Sequence, residues 1–167
     1  MILQNVMIGE NVSIHESSSI NNIVIGNNVK IAKRCSLFGS DMNPLVIGSD
    51  SYIGMNSIIN GFSSPVIIGE CCSIAQNVNI MTDSGPNASD IMQKIFPIKK
   101  GSVSIGDHSW IGAGVTIMPN VEIGKYCVVA ANSFVNSSFC DFSIIGGTPA
   151  KLIRKMTLDE VDKIKEG

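Results

Sequence analysis

The sequence predicts an all-β chain, wound as a parallel β-helix of about six triangular coils. Three observations carry that reading. The dipeptide Ile-Gly recurs along the chain, at Ile8-Gly9, Ile25-Gly26, Ile47-Gly48, Ile53-Gly54, Ile68-Gly69, Ile105-Gly106, Ile111-Gly112, Ile123-Gly124 and Ile145-Gly146. Aliphatic residues fall six apart in groups of three: Ile8, Ile14, Ile20; Ile25, Ile31, Leu37; Ile47, Ile53, Ile59; Ile68, Ile74, Ile80; Ile105, Ile111, Ile117; Ile123, Val129, Val135. Every departure from that spacing follows a third hexad. The step is five from Ile20 to Ile25, ten from Leu37 to Ile47, nine from Ile59 to Ile68 and twenty-five from Ile80 to Ile105. A fixed internal period means a solenoid, and insertions confined to one phase of the period place all the loops at one corner of the prism.

Each hexad then has a physical role for its residues. Two positions before many of the aliphatics stands a small residue: Val12, Ser18, Val29, Cys35, Ser51, Ser57, Cys72, Val78, Ser109, Val115, Val121, Cys127 and Ser133. Residues two apart on a strand share a face, so one large and one small side chain per hexad point inward. The chain then turns, and the Gly or Asn near each corner is expected to supply the positive φ that such turns need. Three hexads close one coil, and coils stack as parallel strands ~4.8 Å apart. Cys35, Cys72 and Cys127 hold the small inward position and read as core packing. The coils are expected to run over residues 1–155, with a long insertion over about 81–104. A short helix is expected over 156–167, where Thr157 and Glu160 fit a capping box.

Composition narrows the class. The 167 residues carry a net charge of −2 and only 16% charged residues, without the basic patch of a nucleic-acid binder. No apolar run approaches the ~20 residues of a membrane span, and the N-terminus lacks the features of a signal peptide. The expectation is a soluble cytoplasmic protein. The five cysteines form no C-x-x-C pair and there are two histidines, so neither a zinc site nor a disulfide framework is expected.

The run "IGDHSWIGAGVTIMPNVEIGKYCVVAANSFV", followed by "IIGGTPAKLIRK", resembles the hexapeptide-repeat acyltransferases, and the likeness covers residues 8 to about 155. "WIGAG" and "GGTPAKLIR" point to the sugar and antibiotic O-acetyltransferase branch. The resemblance implies a left-handed β-helix and a homotrimer with active sites in clefts between neighbouring prisms. It also implies acetyl-CoA as co-substrate, no metal, and a sugar or nucleotide-sugar acceptor, with surface polysaccharide biosynthesis as one setting. Acyl-CoA would lie along the C-terminal coils beside Trp110, with the Ala113 amide at the oxyanion, Ala131 at the next turn, and Lys151 and Arg154 at the CoA phosphates. Asn77 matches an asparagine that orients the acceptor, and Asp83 and Trp110 would flank it.

The stretch "NIMTDSGPN", Asn79 to Asn87, departs from that family. Similar enzymes carry a general-base histidine after the Thr-Asp or Ser-Asp pair, where neutral imidazole suits proton removal near pH 7. Here Gly85, or Ser84, stands in its place. His15 lies in the first coil, about three spacings or ~14 Å below, and His108 sits in a turn. The leading reading is an acyltransferase acting on a hydroxyl or an amine of a sugar. An amine needs less help from a base, so an amino-sugar N-acyltransferase using Asp83, or no base, is the second. The third and fourth are a scaffolding β-helix without turnover and a deliberately inactivated variant.

Overall fold

The computed structural model describes residues 2–166. It is a parallel β-solenoid of about six turns, with strands stacked on three faces. The first coil holds β1 (Ile2–Ile8), β2 (Ser13–Ile14) and the start of β3 (Ser19–Ile25). The second continues with β4 (Lys30–Ile31) and β5 (Ser36–Phe38), and the third is β6 (Leu45–Ile47), β7 (Tyr52–Ile53) and β8 (Ile58–Asn60). The fourth is β9 (Val66–Ile68), β10 (Ser73–Ile74) and β11 (Asn79–Met81), followed by an arm with β12 (Asp83–Ser84), α1 (Asp90–Gln93) and β13 (Lys99–Lys100). The fifth is β14 (Val103–Ile105), β15 (Trp110–Ile111) and β16 (Thr116–Ile117), and the sixth β17 (Val121–Ile123), β18 (Val128–Val129) and β19 (Phe134–Val135). β20 (Ser143–Gly147), β21 (Ala150–Lys155) and α2 (Leu158–Glu166) close the chain. No helix among the described residues is long and apolar enough to cross a membrane.

The hexad registers hold. On the second face Ile14, Ile31, Ile53, Ile74, Ile111, Val129 and Ile145 stack coil on coil. On the third, Ile20, Leu37, Ile59, Ile80, Ile117 and Val135 do the same. All of these but Ile14 are buried. The five-residue step from Ile20 to Ile25 carries no loop, because β3 passes through the corner as one strand. It pairs with β5 before Asn22 and with β6 after it. The expected loops do gather at that corner, after β5, after β8 and, as the arm, after β11.

The small inward residues join the coils by more than apolar contact. Ser57 Oγ donates to Ala75 O at 3.1 Å and accepts from Val78 N at 3.2 Å, and Ser51 and Ser109 repeat the pattern. Cys35, Cys72 and Cys127 are buried, each with Sγ facing a main-chain carbonyl of the next coil. Burial pushes the Cys72 thiol up to about 11, leaving it protonated and inert.

The corners correct one sequence expectation. Asn11, Asn28, Asn56, Asn77, Asn120 and Asn132 do adopt φ near +60°, with Asp50 and His108 in equivalent places. The glycines of the Ile-Gly pairs do not. They are required instead by close approach between coils. A Cβ on Gly54 would lie 2.4 Å from Ala75 C, and one on Gly48 2.5 Å from Gly69 C.

The C-terminal end differs from a plain continuation of the coils. β21 turns back antiparallel to β20, pairing Gly147 with Ala150 and Ile144 with Arg154, and so covers the last edge of the second face. The helix begins where the capping box predicts. Thr157 N donates to Glu160 Oε2 at 2.7 Å and Glu160 N to Thr157 Oγ1 at 3.3 Å. Arg154 clamps the same carboxylate with both Nη atoms, at 2.7 and 2.9 Å. These contacts pull the Glu160 carboxyl down to about 2.

Two measurements check this account. Gly54→Ala should lower unfolding stability by ~1–3 kcal/mol through overpacking, while Asn132→Gly, which keeps a permitted φ, should stay within ~0.5 kcal/mol. Chemical denaturation of the two variants decides between close approach and φ as the role of the glycine. For α2 the sign follows from a folded pKa below the ordinary 4.5. The Glu160 contribution is complete above that value and is lost as pH falls toward about 2. Amide exchange in α2 should therefore quicken over that window in the parent chain, and the Glu160→Gln variant should lack this step.

Candidate active site

The structure sorts the sequence-derived site residues onto two different edges of the prism. The first edge is the corner between the second and third faces. It carries Asn77 in the fourth coil, Ala113 in the fifth and Ala131 in the sixth, tied in register by Gly114 N to Gln76 O at 3.0 Å and Asn132 N to Ala113 O at 2.8 Å. Trp110 stands beside it on β15, 57% exposed. Lys151, opposite Gly146 at the end of β20, extends the same edge.

This edge offers hydrogen-bond donors to a ligand. The N–H groups of Ala113 and Ala131 have no protein acceptor among the described residues, and each follows a residue whose amide is used between coils. At the corner between the first and second faces the situation is reversed. There Glu70 N donates to Asp107 Oδ1 at 3.0 Å and Lys125 N to Asp141 Oδ1 at 2.8 Å. Alanine at 113 and 131 has no side chain able to cap an amide in that way. Two carbonyls of a ligand lying along the edge, one coil spacing apart, could each accept from one of them.

The second edge is the loop corner. Asp83 opens the arm on β12, half-buried, and pairs with Lys100 across an antiparallel ladder. Ser63 Oγ donates to Asp83 Oδ2. Ser63 belongs to the loop after β8, one coil below at the same corner. Sequence reasoning did not single it out, although the shared phase of the two insertions was the signal that could have found it. Ser84, Gly85, Pro86, Ile95, Phe96 and Met118 line a groove at the base of the arm. Gly85 offers little room: a Cβ there would lie 2.8 Å from Ile98 Cα. Any side chain at 85, histidine included, would have to displace Ile98.

Within one chain these two edges are separated by the third face, from Asn77 to Asp83, up to ~20 Å of extended backbone. Asp83 and Gly85 therefore do not meet Trp110, Ala113 or Ala131 in the same copy. Arg154, three residues beyond Lys151 on β21, is paired with Glu160 at 2.7 Å. The histidines are also accounted for. His108, at φ 58°, stacks on Tyr126 with centroids 4.9 Å apart, and Tyr126 on Phe142 at 5.2 Å. That ladder runs along the corner between the first and second faces. His15 Nδ1 lies 2.9 Å from Ser17 Oγ in the first coil. Among the described residues no cluster of three or more His, Cys, Asp or Glu could hold a metal.

The chain matches known proteins over these same coils. Residues 102–137 fit the bacterial transferase hexapeptide (six repeats), and residues 44–81 the hexapeptide repeat of succinyl-transferase. It is 39% identical over 160 residues to YJL218W of Saccharomyces cerevisiae, provisionally named an acetyltransferase, covering 87% of this chain and 80% of that one. It is 33% identical over 91 residues to the galactoside O-acetyltransferase of Lactococcus lactis, covering 54% of this chain and 44% of the relative. The structure of AntD, an N-acyltransferase from Bacillus cereus in complex with dTDP and 3-hydroxybutyryl-CoA, superposes with a TM-score of 0.82 at 30% identity, over 97% of this chain and 88% of that chain. By repeat, fold and sequence, the chain belongs to the hexapeptide-repeat acyltransferase family.

Proposed function

We propose that this acyltransferase moves an acyl group, acetyl from acetyl-CoA, onto the amine of a sugar or nucleotide-linked sugar. The observation that carries the choice of an amine is the arm itself. Its root presents a carboxylate, Asp83, and the arm contains no histidine. A neutral amine brings its own lone pair to the thioester carbon, whereas a hydroxyl needs its proton removed as it attacks. The likeness to an N-acyltransferase bound to dTDP and an acyl-CoA supports the same reading.

The residues divide the work as follows. Acyl-CoA lies along the alanine edge beside Trp110, with Lys151 at its phosphates. The amine attacks the thioester carbonyl carbon, and the oxyanion faces the Ala113 N–H. Collapse breaks the C–S bond and releases CoA as thiolate. Asp83 takes the proton shed by the ammonium and returns it toward the sulfur. Ser63 holds one carboxylate oxygen and leaves the other to the acceptor. Asn77 and Trp110 flank the acceptor. Because Asp83 and Ala113 lie on different edges, one protomer supplies the arm and its neighbour the alanine edge. That arrangement calls for a closed ring, here a homotrimer. The arm is built for such a contact, exposing Ile91, Ile95 and Phe96 at 74%, 66% and 58%. We place the enzyme in the cytoplasm, with surface polysaccharide biosynthesis as its setting.

Thiol release from acetyl-CoA should appear with aminosugars or nucleotide-linked aminosugars and be weak with the matching hydroxyl sugars. Asp83→Asn should lower kcat/KM by ~10²-fold or more. Equal turnover of hydroxyl acceptors, or full activity in Asp83→Asn, would overturn the reading. Sedimentation should give a trimer at micromolar concentration, and Ile95→Asp with Phe96→Asp should shift it toward monomer with loss of activity.

A further inference from the structure

Coils one to four, residues 1–81, contain three cationic residues, Lys30, Lys33 and Arg34. All three fall within five positions of one another in the second coil. They stand at the low end of the alanine edge, opposite Lys151 at its high end. Lys30 lies on the outer side of β4, in register with Tyr52 on β7. Tyr52 is in register with Ser73, and Ser73 with Trp110. The outer side of the second face therefore reads Lys30, Tyr52, Ser73, Trp110 in consecutive coils. Three strand spacings, ~14 Å, separate Lys30 from Trp110.

The low end is a groove. Ser13, His15, Lys30, Lys33, Tyr52 and Met55 line it. Among the described residues, no carboxylate lies within ion-pair distance of Lys30, Lys33 or Arg34. Arg34 Nε donates to Asn56 Oδ1 at 2.8 Å, which fixes the guanidinium and leaves both Nη atoms without a protein acceptor. Arg34 also holds φ +56° at the corner position that Asn56, Asn77, Gly114 and Asn132 occupy in the coils above. Large side chains hold the same φ elsewhere in the chain, at Tyr126 and Phe142. The fold gains no ion pair from these three charges, and an aromatic ring stands next to them.

We propose that this groove is the anion subsite of the acceptor: Lys30 and Lys33 bind the diphosphate of a nucleotide-linked sugar, and Tyr52 packs against its nucleoside. The sugar then extends up the second face toward Trp110. This rests on the acyl-transfer reading for its orientation, and it deepens that reading from any sugar to a nucleotide-activated one. A diphosphate supplies several oxygens to the two ammonium groups in charge-assisted hydrogen bonds, which are the strong kind. The chemistry is shared by the diphosphate of CoA, so the test must separate the two.

The test is calorimetry with uridine and thymidine diphosphates and, separately, acetyl-CoA, on the parent chain and on Lys30→Ala/Lys33→Ala. A Lys30→Arg/Lys33→Arg variant controls for charge. The expected result is nucleoside diphosphate affinity reduced by ~10-fold or more in the alanine variant and largely retained in the arginine variant, with acetyl-CoA affinity unchanged in both. Loss of acetyl-CoA affinity in parallel would assign the groove to CoA and overturn the proposal. So would a parent chain that binds neither nucleoside diphosphate, or an alanine variant that binds as the parent does. The readout does not depend on turnover. If the parent binds the diphosphates through these lysines yet cleaves no thioester with any acceptor, the acyl-transfer reading fails and the anion subsite stands.

Discussion

The structure depends on the main-chain hydrogen bonding between successive coils. Each strand must lie one spacing above its predecessor with its register intact, so every coil has to repeat the same path. The constraint reaches down to single atoms. Gly54 has no Cβ because Ala75 of the next coil occupies that space. Asn56 and Asn77 turn corners at positive φ because the strands on either side must leave in fixed directions. Ser57 and Ser109 fill an inward position while bonding the coil above. Extra residues are accepted at one corner, where they project outward and leave the ladder undisturbed.

The same constraint lets a repeat present a graded surface. A solenoid presents each corner as a straight column of equivalent positions, so a change of residue along one column grades its chemistry. The corner between the first and second faces is closed: side-chain oxygens cap its amides and the His108, Tyr126 and Phe142 rings stack along it. The corner between the second and third faces is open, with alanines at 113 and 131 leaving their amides unused. That edge is small and hydrogen-bonding in the upper coils, and cationic beside Lys33 lower down. One ligand with an acyl thioester and another with an anionic tail would meet between these zones.

The arm has a different logic. It interrupts the repeat for about twenty residues at the loop corner, carries its own short ladder between β12 and β13, and leaves its apolar residues uncovered. Its chemical group, Asp83, is fixed by Ser63 from the coil below, so the carboxylate is positioned by the same stacking that organises the prism. Within one chain the third face stands between the arm and the alanine edge.

Much of this was legible in the sequence because a solenoid writes its geometry locally. The hexad period fixed which side chains face inward, the phase of the insertions fixed the corner of the loops, and Thr157 with Glu160 announced the start of α2. Cys35, Cys72 and Cys127 could be assigned to the core for the same reason. The role of the repeating glycines was misread, since a gap between coils is a contact between residues far apart in sequence, while positive φ is a local property. Arg154 and β21 were similarly hidden. The antiparallel return and the Glu160 clamp belong to no hexad. The pairing of Ser63 with Asp83, and the split of the candidate site over two edges, also required the tertiary structure. A linear sequence gives the phase of each residue around the prism. Which residues of different phase can meet is decided by the closed path of the coil, and that path holds Asp83 and Ala113 apart.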